Sequence, residues 1–432
     1  MYEVIFGGMQ VQIHVVNRGD TLWQISRYYG VSVNQIIQAN QLSNPNVLVV
    51  GQALVIPTPS GTHVVQRGES LYTIARRYGV SLQSLAKANQ ITNPALIYVG
   101  QVLRIPRRSA EVNGYITRMG ASGAQVVNYT GDFLTYLSPF SYSIRPNGDL
   151  NVLDDAGVLE AARRERVMPL MVVTNFGENG FDSELAHAVL SSVQVQNRLL
   201  DNIMSIMRQK GYGGLNIDFE YLYPNDREAY NQFLRRVVNR LRPEGYKVST
   251  ALAPKISAGQ AGTLYEAHDY PAHGSIVDFV ILMTYEWGWV GGRPWAVAPI
   301  NEVRKVLDYA VTAIPRNKIM MGVPLYGYDW RLPYVQGVTR AEIISPQEAV
   351  RRAARYGAEI RYNYIYQSPY FFYTDENGAN HEVWFEDARS VQAKYNVVKE
   401  YGLRGVSYWE LTLEFPQNWY VLEDSFEISK LV

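Results

Sequence analysis

The 432-residue sequence contains no cysteine, which excludes disulfides, thiolate metal sites and a cysteine nucleophile. It has only six histidines, which argues against a zinc enzyme. Lys and Arg total 40, as do Asp and Glu, so no excess charge favours nucleic acid or a disordered acidic chain. We therefore expect no nucleic-acid partner and a neutral or zwitterionic ligand.

The sequence also lacks any run of about 18 apolar residues, so we expect no membrane insertion. The stretch from Met1 to Gly8 has no basic segment followed by a long apolar one, and we expect no conventional signal peptide. Aromatic residues are abundant, with 32 tyrosines, 13 phenylalanines and 8 tryptophans. Flat rings with polar edges suit sugar faces as well as protein cores.

An internal repeat organises the first quarter of the chain. The segment His14-Val-Val-Asn-Arg-Gly-Asp recurs as His63-Val-Val-Gln-Arg-Gly-Glu, and the two copies stay in register to Ile56-Pro57 and Ile105-Pro106. Each copy reads as strand, helix, helix, strand. We predict two βααβ domains, the first repeat over residues 12–57 and the second repeat over residues 61–106. Helix caps are predicted at Thr21, Ser32, Ser70 and Ser81, helix ends at Gly30 and Gly79, and linkers at Thr58–Gly61 and Pro106–Glu111.

The repeats closely resemble LysM domains, through the Arg-Gly-Asp/Glu-Thr/Ser-Leu segment, the Asn-Pro pair and the closing Val-Gly-Gln-x-Leu-x-Ile-Pro. The resemblance implies binding of N-acetylglucosamine-containing glycans such as peptidoglycan or chitin. Two weak sites that reach one polymer raise avidity. The alternative for each of these residues is that it only makes a turn. The candidate glycan contacts are Gly19, Asp20, Thr21, Asn44, Gly68, Glu69, Ser70 and Asn93.

From residue 112 onward, apolar strand-like runs alternate with helical patterns, which is typical of parallel α/β folds. Eight such units predict a (β/α)8 TIM barrel over residues 112–432, with a small α+β lobe inserted at about 331–386 and a hairpin turn at Asp375–Gly378. The doubly wound alternative lacks a glycine-rich phosphate loop. The predicted strands are Gly114–Thr117, Leu134–Phe140, Met168–Thr174, Gly214–Glu220, Lys247–Ala253, Val277–Tyr285, Lys318–Tyr326 and Gly405–Trp409.

The fourth of these strands carries polar residues at every second position. Because alternate residues of a strand share a face, Asn216, Asp218 and Glu220 are expected to point into the barrel. Two buried carboxyls raise each other's proton affinity, so one can stay protonated as a general acid. The same oxygens could instead form a salt-bridge pair or bind a divalent metal, and the residues alone leave these alternatives open.

This strand resembles the Asp-x-x-Asp-x-Asp-x-Glu signature of glycoside hydrolase family 18, the chitinase-like barrels. Further motifs in the family's order are Thr135–Phe140, Leu282–Trp287, Gly322–Gly327 and Gly405–Trp409. The resemblance implies that Glu220 is the acid and then the base, and that Asp218 orients the substrate's 2-acetamido group. In this family the acetamido oxygen attacks the sugar, giving an oxazolinium intermediate and retention. It also implies that Tyr285 binds the acetamido oxygen, that Trp409 forms the floor, and that neither metal nor cofactor is needed.

The sequence departs from the family pattern in three places. Gly213 and Asn216 stand where the family signature has aspartates. Glu286 stands where the family has the aspartate of its Met-x-Tyr-Asp motif. Asn216 can hydrogen-bond Asp218 but cannot share its charge, so we expect Asp218 to ionise more readily. The expected substrate-binding residues are Asn216, Glu286, Trp409, Tyr326, Trp287 and Phe140. Trp289, Trp295, Tyr328 and Trp330 are expected to line the groove, with packing as the alternative for each.

Two LysM domains before such a barrel resemble bacterial spore cortex-fragment-lytic N-acetylglucosaminidases. We therefore expect a monomeric, spore-associated β-N-acetylglucosaminidase that acts on peptidoglycan. The lactyl group of muramic acid adds bulk at O3, so N-acetylglucosamine is the simpler fit at subsite −1. The alternatives are a chitinase, with the same residues and another polymer, and a catalytically silent lectin, which would be signalled by loss of the acid glutamate.

Overall fold

The computed structural model describes residues 11–58, 62–78 and 80–431. The predicted helix end at Gly79, residues 59–61 of the predicted linker and the N-terminal stretch before residue 11 lie outside the described residues. Both repeats have the predicted βααβ order. The first repeat contains β1 (Gln12–Val15), α1 (Leu22–Tyr29), α2 (Val33–Asn40) and β2 (Ala53–Ile56). The second repeat contains β3 (Thr62–Val64), α3 (Leu71–Arg77), α4 (Leu82–Ala88) and β4 (Val102–Arg104).

The predicted caps form the helix starts of both repeats. Thr21 accepts a hydrogen bond from the Gln24 amide at 3.2 Å, and Ser70 accepts one from the Thr73 amide at 3.1 Å. Ser32 and Ser81 cap α2 and α4 in the same way. Each satisfies a helix N–H that has no partner within the helix. Helix α1 ends at Gly30, whose φ of 68° is the left-handed conformation that glycine adopts without strain.

The large domain begins directly after the second repeat. Its strands up to the inserted lobe are β5 (Arg108–Ile116), β6 (Tyr136–Pro139), β7 (Tyr142–Ser143), β8 (Met168–Thr174), β9 (Phe176–Gly177), β10 (Gly180–Phe181), β11 (Gly214–Asp218), β12 (Lys247–Leu252), β13 (Phe279–Leu282) and β14 (Ile319–Pro324). Its helices over the same stretch are α5 (Gly120–Thr130), α6 (Ala156–Arg164), α7 (Ser183–Leu190), α8 (Val193–Lys210), α9 (Arg227–Leu241), α10 (Tyr270–Ile276) and α11 (Ile300–Ala313).

The inserted lobe is a five-stranded antiparallel sheet with one helix across it. It contains β15 (Gly327–Leu332), β16 (Glu342–Ile344), α12 (Pro346–Arg355), β17 (Arg361–Asn363), β18 (Ser368–Thr374) and β19 (Asn380–Trp384). The hairpin predicted at Asp375–Gly378 joins β18 to β19, and the Asp375 amide donates to the Ala379 carbonyl at 2.9 Å. The lobe starts at Gly327 rather than at about 331, because β15 leaves the barrel almost directly after β14.

The chain then returns to the barrel through α13 (Ala388–Tyr401), β20 (Gly405–Trp409), α14 (Pro416–Ser425) and β21 (Phe426–Ile428). Strands β5, β6, β8, β11, β12, β13, β14 and β20 pair in parallel, and the pairings of β8 with β11 and β20 with β5 close the barrel. The predicted (β/α)8 barrel is confirmed. Within the described part of the chain, no helix is both long and apolar enough to span a membrane.

The first repeat packs against the barrel and its lobe. Ala53 and Val55 belong to the same apolar core as the barrel helices, and Val49 belongs to the core of the lobe. The Ile360 amide donates to the Val50 carbonyl at 2.9 Å. Among the described residues, the apolar core of the second repeat instead consists of that repeat's own side chains. The two copies, similar in sequence, therefore have different tertiary roles.

Candidate active site

The polar side chains of β11 face the barrel interior, as the alternation predicted. The Tyr115 hydroxyl of β5 donates to Asn216 Oδ1 at 2.8 Å, across the inside of the barrel. Leu215 and Ile217 pack outward into the core shared with the helices. Asp218 is buried at the end of the strand, and Glu220, two residues later, is half-buried. Parallel barrels place their reactive groups at this carboxyl end of the strands.

The side-chain amide of Asn216 is hydrogen-bonded to β5, across the barrel, and to the adjacent strand β12, rather than to Asp218. Its Oδ1 accepts from Tyr115, and its Nδ2 donates to Ser249 Oγ at 3.0 Å. Asn216 is able to hydrogen-bond Asp218, but in the structure its amide bonds to residues of β5 and β12 instead. Asp218 Oδ1 is buried and has no hydrogen-bond partner among the described residues. Such an oxygen calls for an explanation, since leaving it unpaired is costly.

The two carboxyls hold protons more tightly than in water. Burial raises the pKa of Asp218 above its ordinary range. Burial raises the pKa of Glu220 well above its ordinary value, and the charges of Asp218 and Glu286 add to that rise. Because close carboxyls in a region of low dielectric cannot both ionise cheaply, the pair titrates as a unit. The site can therefore retain a proton near neutral pH.

Glu286 stands at the barrel mouth with one oxygen fixed. Its Oε1 accepts hydrogen bonds from the hydroxyls of Tyr326 and, at 2.8 Å, Tyr328. The surrounding protein raises the pKa of Glu286 by desolvation, and the two tyrosine hydrogen bonds act in the opposite direction. Tyr285 lies beside the carboxyls, and its pKa is raised well above its ordinary value by burial and by the charges of Asp218 and Glu220. Its hydroxyl is therefore a protonated donor at any physiological pH.

An aromatic surface forms one side of the site. The Trp409 ring lies 4.8 Å from the Phe140 ring and 5.5 Å from the Tyr115 ring, measured between centroids. Phe140 contacts Phe176, which begins the β9–β10 hairpin and is 41% exposed. Phe176 was not predicted from the sequence. Its signal was an aromatic residue two positions after the end of the third barrel strand.

The other aromatic residues predicted near the groove divide between the surface and the core. Trp289 is 47% exposed, and Trp287 and Trp295 are half-buried. Tyr326 and Tyr328 are nearly buried, with their hydroxyls on Glu286. The prediction that Trp330 lines the groove is wrong. Its ring is fully buried in the lobe and its Nε1 donates to the Gly292 carbonyl at 2.8 Å, which holds the loop after β13.

The residues that could hold a metal ion are dispersed. In the described ranges, no group of three or more His, Asp or Glu side chains is arranged to bind one. Asp218 and Glu220 therefore have no third ligand of these types in that part of the chain.

The predicted glycan contacts of the repeats have local structural roles. Asp20 accepts from the Asn17 amide at 2.7 Å and contacts His14 Nε2 at 2.9 Å, and Glu69 forms the equivalent contacts. Thr21 and Ser70 are the caps described above. Asn44 and Asn93 accept from backbone amides two residues ahead, and Gly19 and Gly68 have positive φ. These contacts explain the turns, and glycan binding by the same residues stays a prediction.

Comparisons with known proteins agree with the motifs in both parts of the chain. Residues 112–414 match the family "Glycosyl hydrolases family 18", and residues 14–57 and 63–106 each match the LysM domain. The cortical fragment-lytic enzyme of Bacillus subtilis (strain 168) is 52% identical over 97% of this chain and 99% of its own length. The enzyme of the same name from Bacillus cereus is 47% identical with the same coverage.

A solved structure is similar over the whole chain. The crystal structure of the spore cortex-lytic enzyme SleL from Bacillus megaterium QM B1551 has a TM-score of 0.86 and 42% sequence identity. The match covers 98% of this chain and 100% of that one. The similarity therefore includes the two repeats, the barrel and the inserted lobe together.

Proposed function

The chain belongs to glycosyl hydrolases family 18 and carries two LysM domains, and on that premise we propose that it is a β-N-acetylglucosaminidase that hydrolyses spore-cortex peptidoglycan. The substrate is inferred from the 52% identity, over 97% of the chain, to a cortical fragment-lytic enzyme. The chemistry is inferred from the carboxyl pair at the barrel mouth, formed by buried Asp218 and half-buried Glu220, both with raised pKa.

In the first step, Glu220 gives its proton to the glycosidic oxygen. Its raised pKa keeps that proton in place near neutral pH. Asp218 Oδ1 accepts the N–H of the substrate's 2-acetamido group, which gives this otherwise unpaired oxygen a partner. The acetamido carbonyl oxygen attacks C1 as the C1–O bond breaks, and the sugar becomes an oxazolinium ion.

In the second step, the Glu220 carboxylate takes a proton from water. The water oxygen bonds to C1, the bond from C1 to the acetamido oxygen breaks, and Glu220 is protonated again. Both displacements invert C1, so the product retains the original configuration. The carboxylate of Asp218 stabilises the positive charge on the ring throughout.

Nearby residues hold the sugar for this reaction. Tyr285 donates a hydrogen bond to the acetamido oxygen. The Trp409 ring forms the hydrophobic floor of subsite −1 and excludes bulk water from the intermediate. Phe140 packs on Trp409 and fixes the orientation of that floor. Glu286 Oε1 is held by Tyr326 and Tyr328, so its other oxygen is the one that can reach a sugar hydroxyl. Asn216 bonds to Tyr115, whose ring packs on Trp409, and half-buried Trp287 is a further contact for the sugar.

The repeats hold the enzyme on its polymer. LysM and family 18 domains indicate a peptidoglycan or N-acetylglucosamine-containing glycan. Two binding domains attached to one barrel raise the local concentration of the polymer at the mouth. The similar proteins are named as cortical fragment-lytic and spore cortex-lytic enzymes, which supports a spore-associated location for this protein, and we propose that it acts as a monomer.

The test is to incubate the protein with purified cortex fragments and with chitin oligomers and to identify new reducing ends by mass spectrometry. We expect N-acetylglucosamine reducing ends from cortex and none with Glu220→Gln. Glu244→Gln, which alters an exposed surface pair with Arg208, is the matched control and should keep full activity. Cleavage of chitin alone would make the protein a chitinase, and binding without cleavage would make it a lectin.

A further inference from the structure

The backbone of Glu220 lies beyond the end of its strand. The last ladder pair between β11 and β8 joins Asp218 to Thr174, and the ladder with β12 ends one residue earlier at Ile217. Glu220 therefore has no sheet partner to fix its peptide groups. Buried peptide groups need hydrogen bonds from some other source.

One side chain supplies both of those bonds. Asn175, the residue after Thr174, is fully buried, and its Oδ1 accepts from the Glu220 amide at 2.9 Å. Its Nδ2 donates to the Glu220 carbonyl at 2.8 Å. The same Nδ2 group donates to the Asp182 carbonyl at 2.9 Å. All three polar bonds come from a carboxamide, and no other side chain of this size has an acceptor and two donors.

A second buried side chain holds the preceding peptide. His268 Nε2 lies 2.9 Å from the Phe219 carbonyl, and its Nδ1 accepts from the Ala253 amide at 2.8 Å. Because Nδ1 is an acceptor, the ring carries its proton on Nε2 and donates to Phe219. The peptide groups on either side of Glu220 are thus held by Asn175, directly after β8, and by His268, in the loop after β12.

Asn175 also connects Glu220 to the wall of the groove. The Asp182 amide donates back to the Asn175 carbonyl at 2.9 Å, and these two residues bracket the β9–β10 hairpin. That hairpin carries Phe176, the exposed ring beside Phe140. The side chain that holds the Glu220 backbone is therefore also bonded to the base of this hairpin.

We propose that Asn175 is the positioning residue of the general acid: by pairing with both peptide groups of Glu220, it holds the carboxyl at the distance from which it protonates the glycosidic oxygen. This inference rests on the proposed function, in which Glu220 is that acid. It does not require Asn175 to touch the substrate. Misplacing a catalytic group by about 1 Å costs roughly a hundredfold in rate, so the backbone anchor matters.

The test compares Asn175→Ala and Asn175→Asp with the wild type on cortex fragments. Asn175→Asp keeps the size and the acceptor but loses both donors, and it provides a second variant if the alanine variant folds poorly. We expect kcat to fall about 10- to 100-fold in both, with KM changed less than about threefold. Asn418→Ala is the control, since Asn418 is another fully buried asparagine, on α14, whose Oδ1 accepts from Tyr395.

A nitrophenyl N-acetylglucosaminide supplies a second readout. Nitrophenolate leaves with little protonation, whereas a sugar leaving group needs a proton from the acid. A misplaced acid should therefore lower kcat less on the nitrophenyl substrate than on cortex fragments. A wild-type kcat in folded Asn175 variants would overturn the inference, as would an equal kcat loss in Asn418→Ala. Full activity of Glu220→Gln would instead overturn the proposed function, so the two failures are distinguishable.

Discussion

Replacing Gly51 by alanine tests whether the first repeat and the barrel form one folded unit. Gly51 has a φ of +83°, and a Cβ built there would lie 1.7 Å from the Ile360 carbonyl oxygen. The equivalent glycine of the second repeat, Gly100, has a φ of +85° and nothing within 4 Å of a built Cβ. The two substitutions therefore share the same backbone strain, about 1–2 kcal/mol. Only Gly51→Ala forces the first repeat away from the lobe.

The additional cost can be worked out from the contacts that would break. The Ile360 amide would lose its bond to the Val50 carbonyl, and Arg389 would lose its 3.0 Å bond to the Gly51 carbonyl. These bonds contribute about 1 kcal/mol each. Partial exposure of Val49 adds about 1 kcal/mol. We expect Gly51→Ala to destabilise the docked arrangement by about 3 kcal/mol more than Gly100→Ala does.

Hydrogen exchange measured by mass spectrometry reads this difference directly. The Ile360 amide is protected by the contact in question, and 3 kcal/mol corresponds to roughly hundredfold faster exchange. We expect that acceleration in Gly51→Ala and none in Gly100→Ala. Equal exchange at Ile360 in the two variants would refute the reasoning, since it would mean that the first repeat does not depend on this contact.

Two further predictions concern buried charges. Asn216→Asp adds a second carboxyl beside Asp218 and should raise the pKa of Asp218. Activity is lost as the pH falls through that pKa. The acid limb of the kcat/KM profile should therefore move up by about one pH unit. An unmoved limb would contradict the role given to Asp218. Lys394→Met leaves Glu386 buried without its cation, 2.7 Å away, and should cost about 3–5 kcal/mol in a thermal or denaturant melt. The double variant with Glu386→Gln should recover much of that loss, and no recovery would contradict the pairing.

The sequence predicted those features that depend on local patterns. Alternation along one strand was enough to place Asn216 and Asp218 inside the barrel, and the helix caps Thr21 and Ser70 followed from residue type and position. Eight strand-like runs separated by helical patterns were enough for the barrel. The strand face and the caps rest on neighbours within a few residues, and the barrel rests on the repetition of such local patterns.

Features that depend on distant pairs could not be predicted in the same way. Asn216 accepts a hydrogen bond from Tyr115 because β5 lies across the barrel from it, and the pattern of one strand does not show that partner. Trp330 is buried because the lobe folds over the loop after β13. Asn175 holds Glu220 through contacts 45 residues apart in sequence. A single sequence does not show which distant residues come together in the folded protein, so such pairs could not be predicted from it.

The repeats show the same limit in another form. Their two copies are similar in sequence, yet Val49 of the first is buried in the lobe while its counterpart Tyr98 is exposed. Substitution of valine by tyrosine at this position was visible in the sequence. The reason lies in the tertiary structure, because the lobe covers this position in the first repeat and not in the second repeat.

The most direct measurement is the hydrolysis rate of glucosaminide substrates whose N-acetyl group carries zero, one, two or three fluorine atoms. It tests whether the acetamido oxygen attacks C1 while Asp218 and Glu220 assist it. Fluorine on the acyl group withdraws electrons from that oxygen. We expect kcat/KM to fall steeply and progressively from acetyl to trifluoroacetyl substrates. A rate that does not depend on fluorination would contradict it and would point to a different nucleophile.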